Sequence, residues 1–227
     1  MPDMSGHLAR ARSERGDVVL LRRAGDGALE LRVNGVFVMD TAHTGTERLL
    51  ATASLDLALP GRTGGRVLVG GLGLGFTLLE VLADPRVGSA HVVELEGALV
   101  DWHRRGLVPG TAEALADGRV RTSVGDVAEV LAAEPEGELD VLLLDVDNGP
   151  GHLVHDRNAA LYRAEFLELC AARLAPGGTA AIWSAAEAPD LAEALAAAFG
   201  DCALTSVPVV LGRTETSYHL YTARRAG

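Results

Sequence analysis

The spacing of apolar and polar residues changes character near residue 66. Before it, residues 17–40 form short alternating runs separated by "AGDG" and "VNGV", whose Asp-Gly and Asn-Gly pairs are turn signals, so a small antiparallel β unit is predicted. Residues 46–59 then carry apolar residues at helical spacing until "PGRTGG" breaks the pattern. We expect residues 1–16 to be a loose lead-in, followed by a hairpin unit with its linking helix over residues 17–60.

From residue 66 onward, strand-like runs alternate with helix-like runs. The strand-like runs are "RVLVGG", "SAHVVELE", "RVRTSVGD", "LDVLLLDVDN" and "GTAAIWSA", each followed by a helix-like run. "DVLLLDV" is apolar between its two aspartates, as expected of a strand that helices cover on both faces. This alternation predicts an α/β, doubly wound, Rossmann-like and mostly parallel sheet over residues 61–227. The closing "LTSVPVVLGRTETSYHLYTARR" reads as two strands around a turn and predicts an antiparallel C-terminal edge strand.

Composition narrows the class of partner. The chain has 227 residues, 48% of them hydrophobic, and 20 basic against 31 acidic residues give a net charge of −11. Because nucleic-acid binding needs a basic face, no nucleic-acid partner is expected. No apolar run approaches the roughly 18 residues of a membrane span, and the N-terminus shows no apolar leader, so no membrane partner is expected. Cys170 and Cys202 lie far apart in the sequence, which favours reduced thiols and a cytoplasmic protein. The sequence contains no His/Cys cluster, so no metal site is expected.

The first strand-to-helix turn carries three glycines, Gly71, Gly73 and Gly75, in "VGGLGLGF". Ligands bind beyond the carboxyl ends of strands in such sheets, and glycines there allow a close approach of the backbone. The spacing fails the GxGxxG dinucleotide pattern at Phe76 or Leu78, and no Gly-Lys-Ser/Thr forms a P-loop. The GxGxG spacing favours an S-adenosyl ligand, and the alternative is a turn that only packs a helix.

Acidic residues follow the next two strands. Glu94 ends the second strand, 19 positions after Gly75, where a carboxylate can accept hydrogen bonds from ribose hydroxyls. Glu96 lies in the following turn, where its charge more simply favours the dipole of the next helix. Asp126, after the third strand, is placed to accept from an adenine amino group, or it is a plain helix N-cap.

Two carboxylates, Asp145 and Asp147, follow the fully apolar fourth strand and precede a Gly-Pro break. Carboxylates that emerge from a buried strand into a cleft can orient an amine or take its proton, so both are candidate catalytic residues. Asx-turn chemistry is the alternative. The loop that follows contains His152 and His155 and is long enough for a lid, although either His can equally be a surface residue.

These segments together resemble the spermidine synthase (aminopropyltransferase) family and, more broadly, class I S-adenosylmethionine-dependent methyltransferases. The resemblance covers roughly residues 30–185 and rests on "NGVFVMD", "VLVGGLGLG", "HVVELEGALVDWHRRGL", "VGD", "LLLDVDNGP" and "LYRAEFLELCAARLAPGG". It implies S-adenosylmethionine or its decarboxylated form as cofactor, S-adenosylhomocysteine or methylthioadenosine as product, a small-molecule acceptor and a homodimer. The residues expected to contact the cofactor are Gly71, Gly73, Gly75, Glu94, Leu95, Gly125, Asp126, Val127 and Asp145. Asp147 and Tyr162 are expected to bind the acceptor, although Tyr162 equally fits a core position.

The chain departs from the family's pattern in the glycine loop. Family members carry an Asp there that holds the amine of decarboxylated S-adenosylmethionine, and here the position is Leu72 or Leu74. "DTAHTGTERLL" also replaces the polar segment that precedes the loop in the family. Because a loop carboxylate would repel the carboxylate of intact S-adenosylmethionine and a leucine does not, we slightly favour methyl transfer from the intact cofactor. Polyamine aminopropyl transfer is the close alternative, and a non-catalytic nucleoside-binding protein is the alternative of another class.

Overall fold

The computed structural model describes residues 6–151, 153, 155–211 and 214–227, which form two sheets. The small sheet contains β1 (His7–Ser13), β2 (Gly16–Arg22), β3 (Leu29–Val33) and β4 (Val36–Asp40), in that order and antiparallel throughout. The two predicted turns join β2 to β3 and β3 to β4. Asn34 adopts a φ of 52° in the second of them, a conformation that Asn tolerates better than most residues.

Strand β1 lies where the sequence analysis expected a loose lead-in. It pairs with β2 in antiparallel register, with Arg10 opposite Val19 and Ser13 opposite Gly16. Its residues alternate between half-buried and exposed, which is the period of two that is typical of a strand. The segment "HLARARS" has this period, but its two arginines made it look like a solvated segment. The expectation of a loose segment is therefore wrong over residues 7–13, and the expected boundary near residue 60 stays a prediction.

The large sheet has seven strands. They are β5 (Gly65–Gly70), β6 (Val87–Glu94), β7 (Val120–Val124), β8 (Leu139–Leu144), β9 (Leu174–Ser184), β10 (Ala203–Leu211) and β11 (Thr214–Arg224). Their spatial order is β10-β11-β9-β8-β5-β6-β7, and the five from β9 to β7 are parallel. The strands β10 and β11 run antiparallel at one edge. The prediction of a mostly parallel, doubly wound sheet with an antiparallel C-terminal edge is confirmed.

Helices cover both faces of the large sheet. They are α1 (Gly45–Ala58), α2 (Phe76–Ala83), α3 (Gly97–Arg104), α4 (Thr111–Leu115), α5 (Val127–Ala133), α6 (Ala164–Arg173) and α7 (Pro189–Phe199), with a 3₁₀ helix at Asp156–Tyr162. Helices α1 and α2 pack over Val67 and Val69, whereas α5, α6 and α7 pack over Leu68 and Leu142 on the other face. All six residues of β8 are buried as a result, which explains its apolar run from Val141 to Leu144. The one charged residue of β8, Asp140, forms an ion pair with Arg62 at 2.7 Å. None of the helices in the described ranges is long and apolar enough to cross a membrane.

A third apolar cluster joins the two sheets. Leu20 and Leu31 of the small sheet pack with Leu74 of the glycine loop and with Leu99 and Trp102 of α3. Leu20 and Leu74 are completely buried. This contact fixes the small sheet against the turn that follows β5, so that its residues can form a wall of any site at that edge.

Candidate active site

A pocket opens at the carboxyl ends of β5, β6 and β8. Strand β5 lies between the other two, so this edge is the switch point where doubly wound sheets bind their ligands. Most of the residues predicted from the sequence line it: Gly71, Gly73, Glu94, Leu95, Gly125, Asp126, Val127, Asp145 and Asp147. Gly75 and Tyr162 are not part of the described lining.

Those two residues lie outside the lining and pack against neighbouring elements. Gly75 is the N-cap of α2 with a φ of 86°, and a Cβ there would lie 2.7 Å from Thr111 Cγ2. Tyr162 packs into the core under α5 and α6, where its hydroxyl is buried without a hydrogen-bond partner among the described residues. Burial, with the negative charges of Asp147 and Asp145, raises the pKa of Tyr162. Tyr162 thus sits near the carboxylates rather than in the pocket wall.

The glycine loop turns its leucines away from the pocket. Leu72 is buried in the cluster under α1 and α2, and Leu74 is buried against the small sheet. Gly71 and Gly73 line the pocket with φ values of 90° and 50°, and a Cβ on Gly71 would lie only 2.1 Å from the carbonyl oxygen of Asp145. The leucines at the position of the family's acid therefore do not touch the ligand space.

Each of the five backbone N–H groups between residues 71 and 75 already has an acceptor. The pairs are Gly71 N with Val93 O (2.8 Å), Leu72 N with Glu94 Oε2 (2.8 Å), Gly73 N with the Glu94 carboxylate, Leu74 N with Met39 Sδ (3.1 Å) and Gly75 N with Leu72 O (2.7 Å). An anionic group of a ligand would therefore have to displace an existing acceptor from this loop.

Glu94, the predicted ribose ligand, ends β6 and is 6% exposed. Its carboxylate accepts hydrogen bonds from the N–H groups of Leu72 (2.8 Å), Gly73 and Glu96 (2.8 Å). Burial raises the pKa of Glu94, and the three backbone hydrogen bonds oppose that shift. An ionised carboxylate has about four acceptor positions, so it can accept a further hydroxyl group.

Asp126 is the N-cap of α5 and also lines the pocket, while its predicted contact with an adenine amino group stays a prediction. Its Oδ1 accepts from Ala128 N at 2.8 Å and caps α5, while the residue also lines the pocket beside Gly125. A Cβ built on Gly125 would meet no atom within 4 Å. The glycine therefore leaves open space next to the Asp126 carboxylate, where a flat group with a hydrogen-bond donor can lie.

The two carboxylates after β8 differ in their surroundings. Asp145 Oδ2 accepts from the Thr77 hydroxyl at 2.9 Å, and desolvation raises the pKa of Asp145 to about 6 against the effect of that bond. Asp147 is buried, with Oδ1 accepting from Asn148 N at 2.8 Å and Oδ2 from Asn158 Nδ2 at 2.7 Å. Asp147 is thereby oriented by the 3₁₀ helix, whereas Asp145 has the perturbed titration that is typical of proton-handling groups.

Glu47 is a pocket residue that the sequence analysis missed. It lies in the first turn of α1, is 5% exposed, and accepts a 2.9 Å hydrogen bond from Thr46 Oγ1. Burial, together with the negative charge of Asp145, raises the pKa of Glu47 to about 7. A signal was present, because Glu47 shares the buried stripe of α1 with Leu50, Ala51 and Ser54 at helical spacing. A carboxylate on the apolar face of a helix needs a partner or a ligand.

Other pocket residues were also missed. Strands β3 and β4 of the small sheet supply Leu31, Val33, Val38 and Met39. Asn158 and Trp183 also line the pocket, and the Trp183 ring packs edge-on against Tyr218 with 4.7 Å between the ring centroids. His155 of the predicted lid loop lines the pocket, and His152 lies outside the described residues. Their contributions depend on chain segments far apart in sequence, which no local motif reports.

The charge of the lining is strongly one-sided. Among the described residues it contains six carboxylates and no Lys or Arg; the acids are Glu47, Glu94, Glu96, Asp126, Asp145 and Asp147. Such a pocket attracts cations and penalises anions. No group of three metal-ligating side chains occurs in the part of the chain that the structure describes.

A sequence model of the spermine/spermidine synthase domain matches residues 58–198. The chain belongs to the spermine/spermidine synthase domain family. The resemblance predicted from the sequence is thereby confirmed. The missing loop acid is a departure within this family, and Glu47 supplies a carboxylate to the same pocket from another element.

Two curated relatives carry names that specify the transfer of different groups, methyl in one and aminopropyl in the other. Putrescine N-methyltransferase 3 of Nicotiana tabacum is 29% identical over 178 residues, which cover 75% of this chain and 42% of the relative. Polyamine aminopropyltransferase 2 of Pseudomonas aeruginosa is 37% identical over 120 residues, 51% of this chain and 32% of the relative. This chain therefore spans less than half of either relative.

The fold is similar to that of a spermidine synthase crystallised with the transition state analogue AdoDATO. The TM-score is 0.80 at 18% sequence identity, over 98% of this chain and 75% of that one. At this identity the likeness concerns the fold.

Proposed function

We propose that this protein transfers an alkyl group from an S-adenosyl cofactor to the amino group of a small cationic amine. The observation that carries the proposal is the pocket lining, with six carboxylates and no Lys or Arg among the described residues. Buried carboxylates are costly unless cations compensate them, and both a sulfonium and an alkylammonium are cations. The names of the relatives, which include a putrescine methyltransferase and a polyamine aminopropyltransferase, support this class of reaction.

The residues around the pocket fit an S-adenosyl group. Gly125 leaves open space beside Asp126, whose free carboxylate oxygen can accept from an adenine amino group. Glu94 has acceptor capacity left for ribose hydroxyls at the end of β6. Gly71 presents no side chain, so the backbone after β5 can lie against the ligand.

Asp145 is the residue we assign to the acceptor amine. When bound, the cofactor supplies a sulfonium-linked carbon that bonds to the amine nitrogen while its bond to sulfur breaks and the electron pair passes to sulfur. A pKa of about 6 leaves Asp145 ionised at neutral pH, so it can hold the ammonium form and take its proton. Asp147, fixed by Asn158, orients the same amine, and the apolar wall formed by Leu31 and Val33 keeps water out.

For the donor, the pocket favours the decarboxylated cofactor, contrary to the slight preference drawn from the sequence. That preference assumed that, without the loop acid, no negative charge repels the carboxylate of intact S-adenosylmethionine. However, the Glu47 carboxylate lines the pocket. The loop N–H groups that could bind a cofactor carboxylate already have acceptors. We therefore propose aminopropyl transfer. Methyl transfer is the second candidate, supported by the absence of an acid from residues 71–75 of the loop and by the similarity to putrescine N-methyltransferase.

The test is a matrix of two donors and a panel of amines. The protein is incubated with S-adenosylmethionine or its decarboxylated form, together with putrescine, longer diamines and spermidine, and products are read by mass spectrometry. Because the chain contains no lysine, amine-reactive labels detect acceptor and product over little protein background. Aminopropylated product from the decarboxylated donor supports the proposal, whereas methylated product alone establishes the second candidate.

Calorimetric titration completes the test. Both donors and methylthioadenosine are titrated into the wild type and the Glu47→Gln variant, with Glu193→Gln on the exposed side of α7 as a control. We expect Glu47→Gln to lose most of the wild type's preference for the decarboxylated donor and Glu193→Gln to keep it. Failure of all three ligands to bind would overturn the S-adenosyl proposal. Binding without turnover of any amine would instead favour a non-catalytic nucleoside-binding protein.

We further propose that the protein is a cytoplasmic homodimer. The family resemblance implies the dimer, and β1 at the free edge of the small sheet exposes 40% of Leu8. Two cysteines without a disulfide fit a reducing compartment. Light scattering coupled to size exclusion should give twice the 23.6 kDa chain mass, and Leu8→Glu should reduce it if this edge is the contact.

A further inference from the structure

The turn between β1 and β2 holds the loop that follows β6. Arg15 Nε donates to Glu96 Oε1 at 2.7 Å, and Arg15 Nη2 donates to the carbonyl oxygen of Leu95 at 3.0 Å. Ser13 Oγ donates to the same Glu96 oxygen at 3.2 Å. The two segments are about 80 residues apart in the chain, so these contacts are specific to the folded protein.

The backbone of Arg15 is itself fixed before it makes these contacts. Its N–H donates to Ser13 Oγ at 3.1 Å, and its carbonyl oxygen accepts from Asn34 Nδ2 at 3.1 Å. Asn34 Oδ1 in turn accepts from Asp17 N at 2.9 Å. The hairpin therefore presents the guanidinium group in an ordered position, which lowers the entropy cost of each hydrogen bond it makes.

The two residues that Arg15 contacts adjoin the predicted ribose ligand. Leu95 and Glu96 line the pocket, and Glu96 N donates to Glu94 Oε1 at 2.8 Å. Burial is the main cause of the raised Glu94 pKa, and the negative charge of Glu96 adds to it. A guanidinium bound to Glu96 offsets that charge. Arg15 can thus influence Glu94 both through the geometry of the loop and through its charge.

We propose that Arg15 is a positioning residue for the cofactor, which holds the Glu94 carboxylate toward the ribose hydroxyls and offsets the charge of the neighbouring Glu96. The β1–β2 hairpin is then part of the cofactor-binding apparatus although it contributes no described residue to the pocket lining. The inference rests on the proposed S-adenosyl function. The other titratable groups that line the same pocket are Glu47 on α1, Asp126 at the start of α5, Asp145 and Asp147 after β8, and His155.

The experiment measures the dissociation constant of methylthioadenosine for the wild type and for Arg15→Gln from about pH 5 to about pH 8.5, across the range in which a raised carboxyl pKa titrates. We expect Arg15→Gln to weaken binding by about tenfold at neutral pH. As the pH is lowered, the variant should lose binding at a higher pH than the wild type does. The reason is that Glu94 takes up a proton more readily when Arg15 no longer offsets the charge of Glu96. Arg15→Lys keeps the charge without the paired hydrogen bonds, so it should weaken binding and leave the pH midpoint near that of the wild type.

Two further variants separate positioning from a merely structural role. Arg12→Gln removes the same charge from the same hairpin at a side chain that is 83% exposed and pairs only loosely, at 3.7 Å, with Asp17, so it should bind like the wild type. In a Glu96→Gln background, Arg15→Gln should no longer move the pH midpoint. A lower melting temperature with an unchanged pH midpoint would overturn the proposal, as would wild-type affinity in Arg15→Gln. Absence of binding by the wild type would overturn the proposed function and this inference with it.

Discussion

The hydroxyl of Thr77 on α2 donates a 2.9 Å hydrogen bond to Asp145 Oδ2 at the end of β8. The helix after the glycine loop and the strand next to β5 therefore meet at one carboxylate. The bond favours the ionised form and desolvation disfavours it, and desolvation prevails, with a pKa of about 6 for Asp145. The hydrogen bond orients the Asp145 carboxylate, and the raised pKa brings its titration close to neutral pH.

Replacing Asp145 by Asn tests its assigned role in transfer. Asn keeps the shape and can still meet the Thr77 hydroxyl, but it cannot take a proton or compensate an ammonium charge. We expect kcat to fall by on the order of 10²-fold or more, with methylthioadenosine affinity changed by only a few fold. Steady-state kinetics and calorimetry measure the two quantities. Asp190→Asn, at an exposed position in α7, is the matched control, and transfer at wild-type rate in Asp145→Asn would remove this residue from the mechanism.

The pH dependence of transfer should report the Thr77–Asp145 bond. If Asp145 must be ionised, the rate falls as pH drops through about 6. Thr77→Val removes the hydrogen bond that favours the carboxylate, so the inflection should move to higher pH. The profile of kcat/KM for both proteins measures this shift. An inflection that stays in place would show that another group controls the acid limb.

Gly125 offers a test of where the cofactor lies. A Cβ at this position meets no protein atom within 4 Å, so Gly125→Val should fold normally and fill the space beside Asp126. We expect cofactor affinity to fall by at least about tenfold, with the melting temperature nearly unchanged. Gly118→Val, at an exposed turn that is equally open and outside the pocket, should bind like the wild type. Equal affinity in both variants would place the cofactor elsewhere.

Glu47 should make stability depend on pH in a definite direction. Its pKa rises from 4.5 to about 7 on folding, so it favours folding at low pH, and that contribution is lost as the pH rises through about 7. At about pH 8 the ionised, buried carboxylate costs on the order of 1 to 3 kcal/mol. Glu47→Gln should therefore be more stable than the wild type near pH 8, and the gap should shrink near pH 5. Thermal denaturation at both pH values measures it, and an unchanged gap would assign the effect to another group.

The carboxylates at strand ends were predictable because parallel strands bring their carboxyl ends to one edge. Glu94 is the last residue of a strand, Asp126, Asp145 and Asp147 follow strands, and all four line the pocket. Glu47 obeys no such rule. It precedes the large sheet in the chain, and its place beside Asp145 depends on how α1 packs across β8 and β9, which periodicity along one helix does not determine.

The glycine loop shows a second limit of sequence reasoning. The sequence shows the alternation of Gly and Leu over residues 71–75, and the family resemblance predicted Leu72 or Leu74 at the position of a ligand-binding acid. With positive φ at Gly71, Gly73 and Gly75, the chain turns so that Leu72 and Leu74 enter two different apolar cores. The direction of a side chain in such a turn depends on dihedral angles and on cores built from distant segments.

The burial of Leu74 between the loop and the small sheet joins two regions that the chain order separates. Because Leu74 packs in the cluster that contains Leu20 and Leu31, we expect the loop and strands β2 and β3 to open together. A molecule bound against Gly71 and Gly73 should then slow amide hydrogen exchange in β2 and β3, which carry the small-sheet residues buried with Leu74. Exchange protection in these two strands would therefore report whether the pocket is filled.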